Sequence, residues 1–228
     1  MTGPLAPLWR GRRCGLVAGV ALLLAGCSGP PAHHPAPRTT ARWINPTPEQ
    51  RQCLASLGQA QTQFSPLPDQ YFGAGCATIN TVQLAWLRSD HAQLHVVNIG
   101  PVTCALATTL QGWARFGVDR AARAALGSPL ARIDTYGSYN CRNVAGTERR
   151  SAHATANAVD IAAFTLADGR RISIKGGWSD GSAAERTFLR LVRDSACKRF
   201  SVVLTPDYNG AHRDHLHLEV GAPHPLCK

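Results

Sequence analysis

Apolar residues recur along this chain with two different periods, and the switches between them mark its elements. Pro48 to about Gly58 reads as a helix, with Thr47 as N-cap and Pro48 at the first helical position. Two apolar stretches between Val82 and Val97 (VQLAWL and LHVV) predict short strands or a strand pair. From Pro101 to about Leu126, the residues Leu106, Leu110, Trp113 and Phe116 fall at helical spacing, which predicts a long helix interrupted near Gly117. Arg132–Tyr139 predicts a strand. Val159–Phe164 and Arg171–Ile174 flank Asp168-Gly169 and predict a hairpin with a type I′-like turn. Ala183–Cys197 has the pattern of an amphipathic helix, and Phe200–Leu204 and His215–Val220 those of strands. Together these predict an α+β domain in which the final strands make an antiparallel sheet and helices cover one face.

Ahead of Pro48 the periodicity is lost. Arg10, Arg12 and Arg13 precede an apolar run from Gly15 to Gly26 that is too short to span a bilayer but suits a signal-peptide core. It ends in Leu24-Ala25-Gly26-Cys27, which resembles a bacterial lipobox, a site where the chain is cut before the cysteine and Cys27 takes lipid. Ordinary secretory cleavage nearby, with Cys27 incidental, is the competing reading. Ser28 rather than Asp follows, so in a cell with two membranes the periplasmic face of the outer one is the expected location. Residues 28–47 are rich in Pro, Ala and Thr and read as an extended tether, with His33 and His34 solvated within it. The expected organisation is a signal over 1–26, a tether over 27–47 and a domain over 48–228, long enough for a substantial core.

The cysteines agree with export. Of eight, Cys14 leaves with the leader and Cys27 is the lipidation site, leaving Cys53, Cys76, Cys104, Cys141, Cys197 and Cys227. In an oxidising compartment six predict three disulfides, each worth about 2–4 kcal/mol, and the sequence leaves fifteen connectivities open. No CxxC pair is present to suggest a thiolate metal site. The formal charge of +10 falls to +7 once the three leader arginines are removed. Outside the cytoplasm the available polyanions are cell-wall and envelope polymers. No basic stripe interleaved with aromatics appears, so a nucleic-acid partner is not expected.

Two fragments carry chemistry. Ser151-Ala-His153 to Asp160 supplies a histidine and a carboxylate, and Asp214-His215-Leu216-His217 supplies an HxH behind an acid. Three such ligands with one open position make a hydrolytic zinc site. On a strand His215 and His217 share a face, about 6.6 Å apart. Only one of them easily joins His153 and Asp160 as a ligand, leaving the other for substrate or water. Asp214 shares that site only if it lies at an irregular strand entrance. Ser151 reads as a loop-fixing hydrogen-bonder, and Ser138 and Tyr139 either line the pocket or shape a turn. His91, His95 and His224 read as surface or structural, and Trp113 and Trp178 as core or pocket wall.

SAHATANAVD resembles the SxHxxGxAxD signature of the zinc D-Ala-D-Ala carboxypeptidases, and DHLH resembles their closing acid-x-x-His, within the lysostaphin, D-Ala-D-Ala peptidase and hedgehog superfamily. More narrowly, SYNCR, Ser151–Phe164 and SVVLTPDYNGAHRDHLHLEV resemble the bacterial extensin-like C-terminal family over roughly residues 50–228. The resemblance implies zinc on one face of a small antiparallel sheet, with His153, Asp160 and His217 as ligands. It also implies Asp214 as general base and Arg142 as the arginine that contacts substrate or oxyanion; on the chemistry of the residues themselves, His215 is the rival base or a stabiliser of the tetrahedral intermediate. Two departures stand out: Ala156 replaces the signature's glycine, a strained choice if that position needs a positive φ, and Asn-Cys is inserted ahead of Arg142. The implied activity is cleavage of peptidoglycan stem peptides or cross-links by a carboxypeptidase or endopeptidase tethered to a membrane. The alternative is a non-catalytic wall-binding or structural lipoprotein that keeps the fold.

Overall fold

The computed structural model describes residues 40–42 and 46–228. The leader, Cys27 and most of the expected tether lie outside the described residues. In chain order the first elements are β1 (Thr40–Arg42), α1 (Pro48–Gln59), β2 (Gln63–Pro66), β3 (Asp69–Gly73) and β4 (Cys76–Thr78). β5 (Thr81–Arg88), β6 (Gln93–Val97) and β7 (Pro101–Thr103) lead into a continuous helical run of α2 (Cys104–Trp113), a π-helical stretch (Ala114–Asp119) and α3 (Arg120–Leu126). Then come β8 (Leu130–Gly137), β9 (Ala158–Leu166), β10 (Arg171–Ser173), α4 (Ile174–Gly177) and α5 (Ala183–Cys197). β11 (Val202–Leu204), β12 (Leu216–Glu219) and β13 (Leu226–Cys227) complete the chain.

Local signals act where they were expected. Thr47 and Gln50 form a reciprocal capping box that starts α1. The helix expected from Pro101 begins three residues later, because Pro101–Thr103 pairs with β5 as a short strand and the Thr103 side chain accepts from the Leu106 N–H as N-cap. The interruption expected near Gly117 is a π-helical shift within an unbroken helical run. A Cβ at Gly117 would overlap Ser195 Oγ on α5 and sit 3.0 Å from Trp113 Cδ1, so glycine is required by close helix approach. The β9–β10 hairpin forms, but its turn is not type I′. Asp168 is not among the positive-φ residues and Gly169 is (φ +90°). The Gly169 N–H donates to the Leu166 carbonyl at 3.0 Å, the pattern of an ordinary turn closed by a left-handed glycine. Ile174, expected to end the hairpin, instead opens α4.

The expected small antiparallel sheet needs correction. The sheet has ten strands and is mixed, with the path β13-β11-β12-β9-β8-β6-β5-β2, β10 added on β9 and β7 on β5. β6 and β8 run parallel, since the helical run carries the chain back across the sheet between them, the connection parallel strands require. β13 lies parallel to β11. Alternation shows which face of a strand is buried but not which strand is its neighbour. Along β6, Leu94 and Val96 are buried while Gln93, His95 and Val97 are exposed. The buried face meets the helices in an aromatic core, where Trp113 packs edge-on against Phe164 (6.0 Å) and Phe200 (5.9 Å), and Phe164 against Phe188 (5.4 Å). Trp113 also donates its indole N–H to the Val192 carbonyl at 3.2 Å, pinning α2 to α5.

Three disulfides resolve the fifteen pairings: Cys53–Cys104, Cys76–Cys141 and Cys197–Cys227. The first ties α1 to α2, and the third ties α5 to the terminal strand. The second ties β4 to the loop after β8. β4 belongs to a separate three-stranded sheet, β1-β3-β4, in which residues 40–42 of the segment read as tether pair antiparallel with β3. Phe72 on β3 stacks near Tyr139 (5.2 Å), and Arg150 Nε donates to the Ala74 carbonyl at 2.6 Å. This small sheet therefore braces the 138–153 loop, which leads to the first metal-ligand candidate.

Candidate metal centre

The loop from Ser151 to Asn157 is set by its own backbone bonds. Ala152–Thr155 forms one 3-10 turn, capped by Ser151 Oγ, which accepts from the His153 N–H at 3.4 Å. Ser151 is thus the loop-fixing group expected of it. Ala156 follows with φ +55°, ψ +27°, in the left-handed region where a glycine would be unstrained. Its carbonyl accepts from the Thr103 N–H at 3.0 Å, and Asn157 Oδ1 accepts from the Thr103 hydroxyl at 2.9 Å. The reversal delivers Asp160 as the third residue of β9, directly opposite His217 in the antiparallel register with β12.

His153, Asp160 and His217 converge. Their ligand atoms all lie within 4.8 Å of one another, so these three residues could hold a metal ion. His217 Nδ1 is 2.9 Å from Asp160 Oδ1, and His153 Nε2 is 3.3 Å from the same oxygen and 3.2 Å from His217 Nδ1. Both imidazoles are oriented from behind. His153 Nδ1 donates to the Ser138 carbonyl at 2.7 Å, which leaves the Nε2 lone pair facing the centre. Ser138 is held in turn by its hydroxyl, which donates toward the carbonyls of Ile99 and Pro101. Ser138 therefore supports a candidate ligand, while Tyr139 packs against the small sheet. His217 turns its far nitrogen, Nε2, toward Glu219 Oε2 at 3.5 Å. A carboxylate or carbonyl behind each ligating imidazole is the usual support of a metal site.

Electrostatics follow from this crowding. Burial pushes the Asp160 carboxyl up, but the bonds and charges of His153 and His217 outweigh it and hold the group well below the ordinary carboxylate range. Burial pulls His217 down, yet Asp160 and Glu219 outweigh it and raise the ring to about 9.

The remaining expected residues divide. Asp214 and His215 lie in the turn that enters β12, the irregular entrance the site required. His215 Nδ1 donates to Asp214 Oδ1 at 3.0 Å, and this bond holds the Asp214 carboxyl below its ordinary value. The other nitrogen, His215 Nε2, reaches to 3.6 Å from Asp160 Oδ1. Asp214 thus approaches the cluster through His215, which is the residue at the centre's edge. Arg142 is exposed, next to the Cys76–Cys141 bridge, and its guanidinium makes only a 3.5 Å contact with the Asn143 carbonyl. It forms no ion pair among the described residues, although its charge contributes to the field at His212. His91, His95 and His224 are exposed, and Trp113 and Trp178 are core.

Sequence reasoning missed two residues. Glu219 stands two positions beyond His217, so the period of two that pairs His215 with His217 also places Glu219 on their face. His212 sits in a 3-10 turn with no periodic signal. Its ring centroid is 5.1 Å from His215 and 6.0 Å from His217, and Nδ1 donates to Asn209 Oδ1 at 2.8 Å. Burial first, then the neighbouring histidines, lowers it to about 4, which keeps it neutral.

The family model described as "Extensin-like protein C-terminus" matches residues 51–228. No curated protein and no solved structure gives a match.

Proposed function

The chain belongs to the extensin-like C-terminal family, and from that premise we propose that it is a zinc-dependent peptidase acting on peptidoglycan peptides. The observation that carries the reading is the convergence of two imidazoles and one carboxylate beside a further imidazole, His215, that is oriented by Asp214. Two histidines and a carboxylate are a ligand set of hydrolytic zinc centres, and the motifs resemble those of the zinc D-Ala-D-Ala carboxypeptidases. Three disulfides fit an oxidising compartment, and the lipobox-like Cys27 fits a membrane-tethered lipoprotein facing the wall.

His153, Asp160 and His217 would hold the zinc, which would supply a Lewis acid able to acidify water and polarise an amide carbonyl. His215 accepts the proton of the attacking water at Nε2, while Asp214 stabilises the resulting imidazolium through Nδ1–H. His215 then returns that proton to the leaving amine. Arg142, exposed and without an ion pair among the described residues, is available to hold a substrate carboxylate in a two-pronged contact.

Incubating metal-loaded protein with purified muropeptides, read by mass spectrometry, tests the proposal. Wild type trims or splits them. His215→Ala retains stoichiometric metal and loses at least about 100-fold in rate, and Asp214→Ala follows with a smaller loss. If wild type holds stoichiometric metal and leaves every muropeptide unchanged, a non-catalytic wall-binding lipoprotein replaces this reading.

A further inference from the structure

The open face of the sheet, remote from the helices, carries a second feature. Gln63 on β2, Trp86 on β5 and His95 on β6 are successive cross-strand partners, as are Arg88 and Gln93. With Gln61 they line a shallow open groove of about 430 Å³, His95 flanking it edge-on to Trp86 at 6.1 Å. The side chains of Gln61, Gln63, Arg88 and Gln93 make no hydrogen bond or ion pair among the described residues, nor does the Trp86 indole N–H. The buried Gln111 below saturates the adjacent backbone, bonding the N–H and carbonyl of Arg88 at 2.8 Å each. The lining thus offers one flat half-buried aromatic surface ringed by uncommitted planar donors and acceptors.

Gln61 adds an independent sign. It ends α1 in a left-handed conformation (φ +57°), with its N–H bonded to Gly58 and that of Thr62 to Leu57. Glycine is the residue such a helix end favours. A glutamine kept there at a conformational cost, with its side chain lining the groove, is strain placed where a ligand contact would use it.

We propose that this groove binds a sugar chain, with Trp86 beneath the apolar face of a sugar ring and the glutamine amides and Arg88 bonded to its hydroxyl and acetamido groups. A charged ligand would need more than the single arginine. A purely apolar one would leave four polar side chains desolvated without partners. The groove lies three strand steps from β9 and five residues along from the row containing Asp160, roughly 20 Å from the metal-ligand cluster. One face of the sheet would then hold a wall glycan at one end and present its peptide to the metal centre at the other. This deepens the peptidase reading, on which only the identity of the glycan as cell-wall strand rests.

Isothermal titration of the purified protein with chitohexaose and with cellohexaose tests the assignment, with a parallel metal titration. Saturable binding of chitohexaose is expected, weakened at least tenfold in Trp86→Ala and severalfold in the exposed variant Gln93→Ala, with metal affinity unchanged. Gln61→Gly weakens sugar binding while raising the melting temperature. Equal binding of cellohexaose supports recognition through the rings, and a preference for chitohexaose supports recognition of the acetamido groups. No saturable binding of either sugar, or Trp86→Ala and Gln93→Ala binding as wild type does, overturns the proposal. Sugar binding without muropeptide cleavage would instead sink the peptidase reading alone.

Discussion

Raising the pH from 7 to 9 should tighten metal binding to this protein by about 100-fold. The cause is His217, raised to about 9 by Asp160 and Glu219. At pH 7, about two units below that pKa, the cation must displace a proton, which costs on the order of 3 kcal/mol. Affinity therefore rises about tenfold per pH unit up to pH 9 and flattens above it. The signs for the metal-free protein run the other way. The raised His217 contributes stability that is fully present below the ordinary histidine value of 6.5 and is lost as pH rises through about 9. The depressed Asp160 contributes stability present above its ordinary 3.8 and lost as pH falls through its lower folded value. His212, lowered to about 4, contributes stability that is present above 6.5 and lost as pH falls toward 4, so metal-free protein is most stable near pH 6.5, while the increment in melting temperature on adding metal grows toward pH 9. Calorimetry in two buffers of different ionisation enthalpy, with a competing chelator, counts the protons released at each pH. Glu219→Gln isolates the His217 share, since removing that carboxylate moves the plateau to lower pH. Equal affinity at pH 7 and pH 9, with the Glu219→Gln profile superimposed on wild type, would refute the argument.

Other consequences concern packing. Ala156 is fully buried with φ +55°, so Ala156→Gly relieves about 1 kcal/mol of left-handed strain but gives up a similar amount in a buried methyl and chain entropy. Urea unfolding should show a change within about 1 kcal/mol, while Ala156→Val, branched in a left-handed buried site, should lose more than 2 kcal/mol. Gly117→Ala should cost about 1–3 kcal/mol through overpacking against α5, with part recovered when Ser195→Ala is added; no recovery would mean the clash lies elsewhere. Replacing both Cys76 and Cys141 by Ser opens a bridge spanning 65 residues and should lower stability by about 4 kcal/mol. If muropeptides are cleaved, the same variant should raise KM more than it lowers kcat, because the bridge clamps the loop bearing Arg142.

The local elements were legible because their causes are local. Thr47 and Gln50 cap α1 wherever the helix ends up, and alternation in Gln93–Val97 marks a half-buried strand in any sheet. The candidate ligand set was legible for a related reason. His153 and Asp160 straddle one short reversal, and His217 falls on a strand whose period of two sets its face. The same period places Glu219 beside them, a signal present in DHLHLE.

What tertiary structure decided depends on partners distant in the chain. Strand neighbours are chosen by how the helical run crosses the sheet, so the mixed ten-stranded order could not follow from alternation. Disulfide pairing depends on which cysteines meet in space. The division of labour between Asp214 and His215 was equally hidden, because adjacency in sequence does not say which side chain turns inward. Only folding shows His215 at the edge of the cluster bonded to Asp214, and Arg142 on a loop braced by Cys76, its charge felt at His212. The sequence by itself determined the chemistry at hand, two imidazoles and a carboxylate in a domain that carries six cysteines. Their distances, their protonation and the polar groove that shares their face belong to tertiary structure, because each arises from contacts between segments that the chain alone keeps apart.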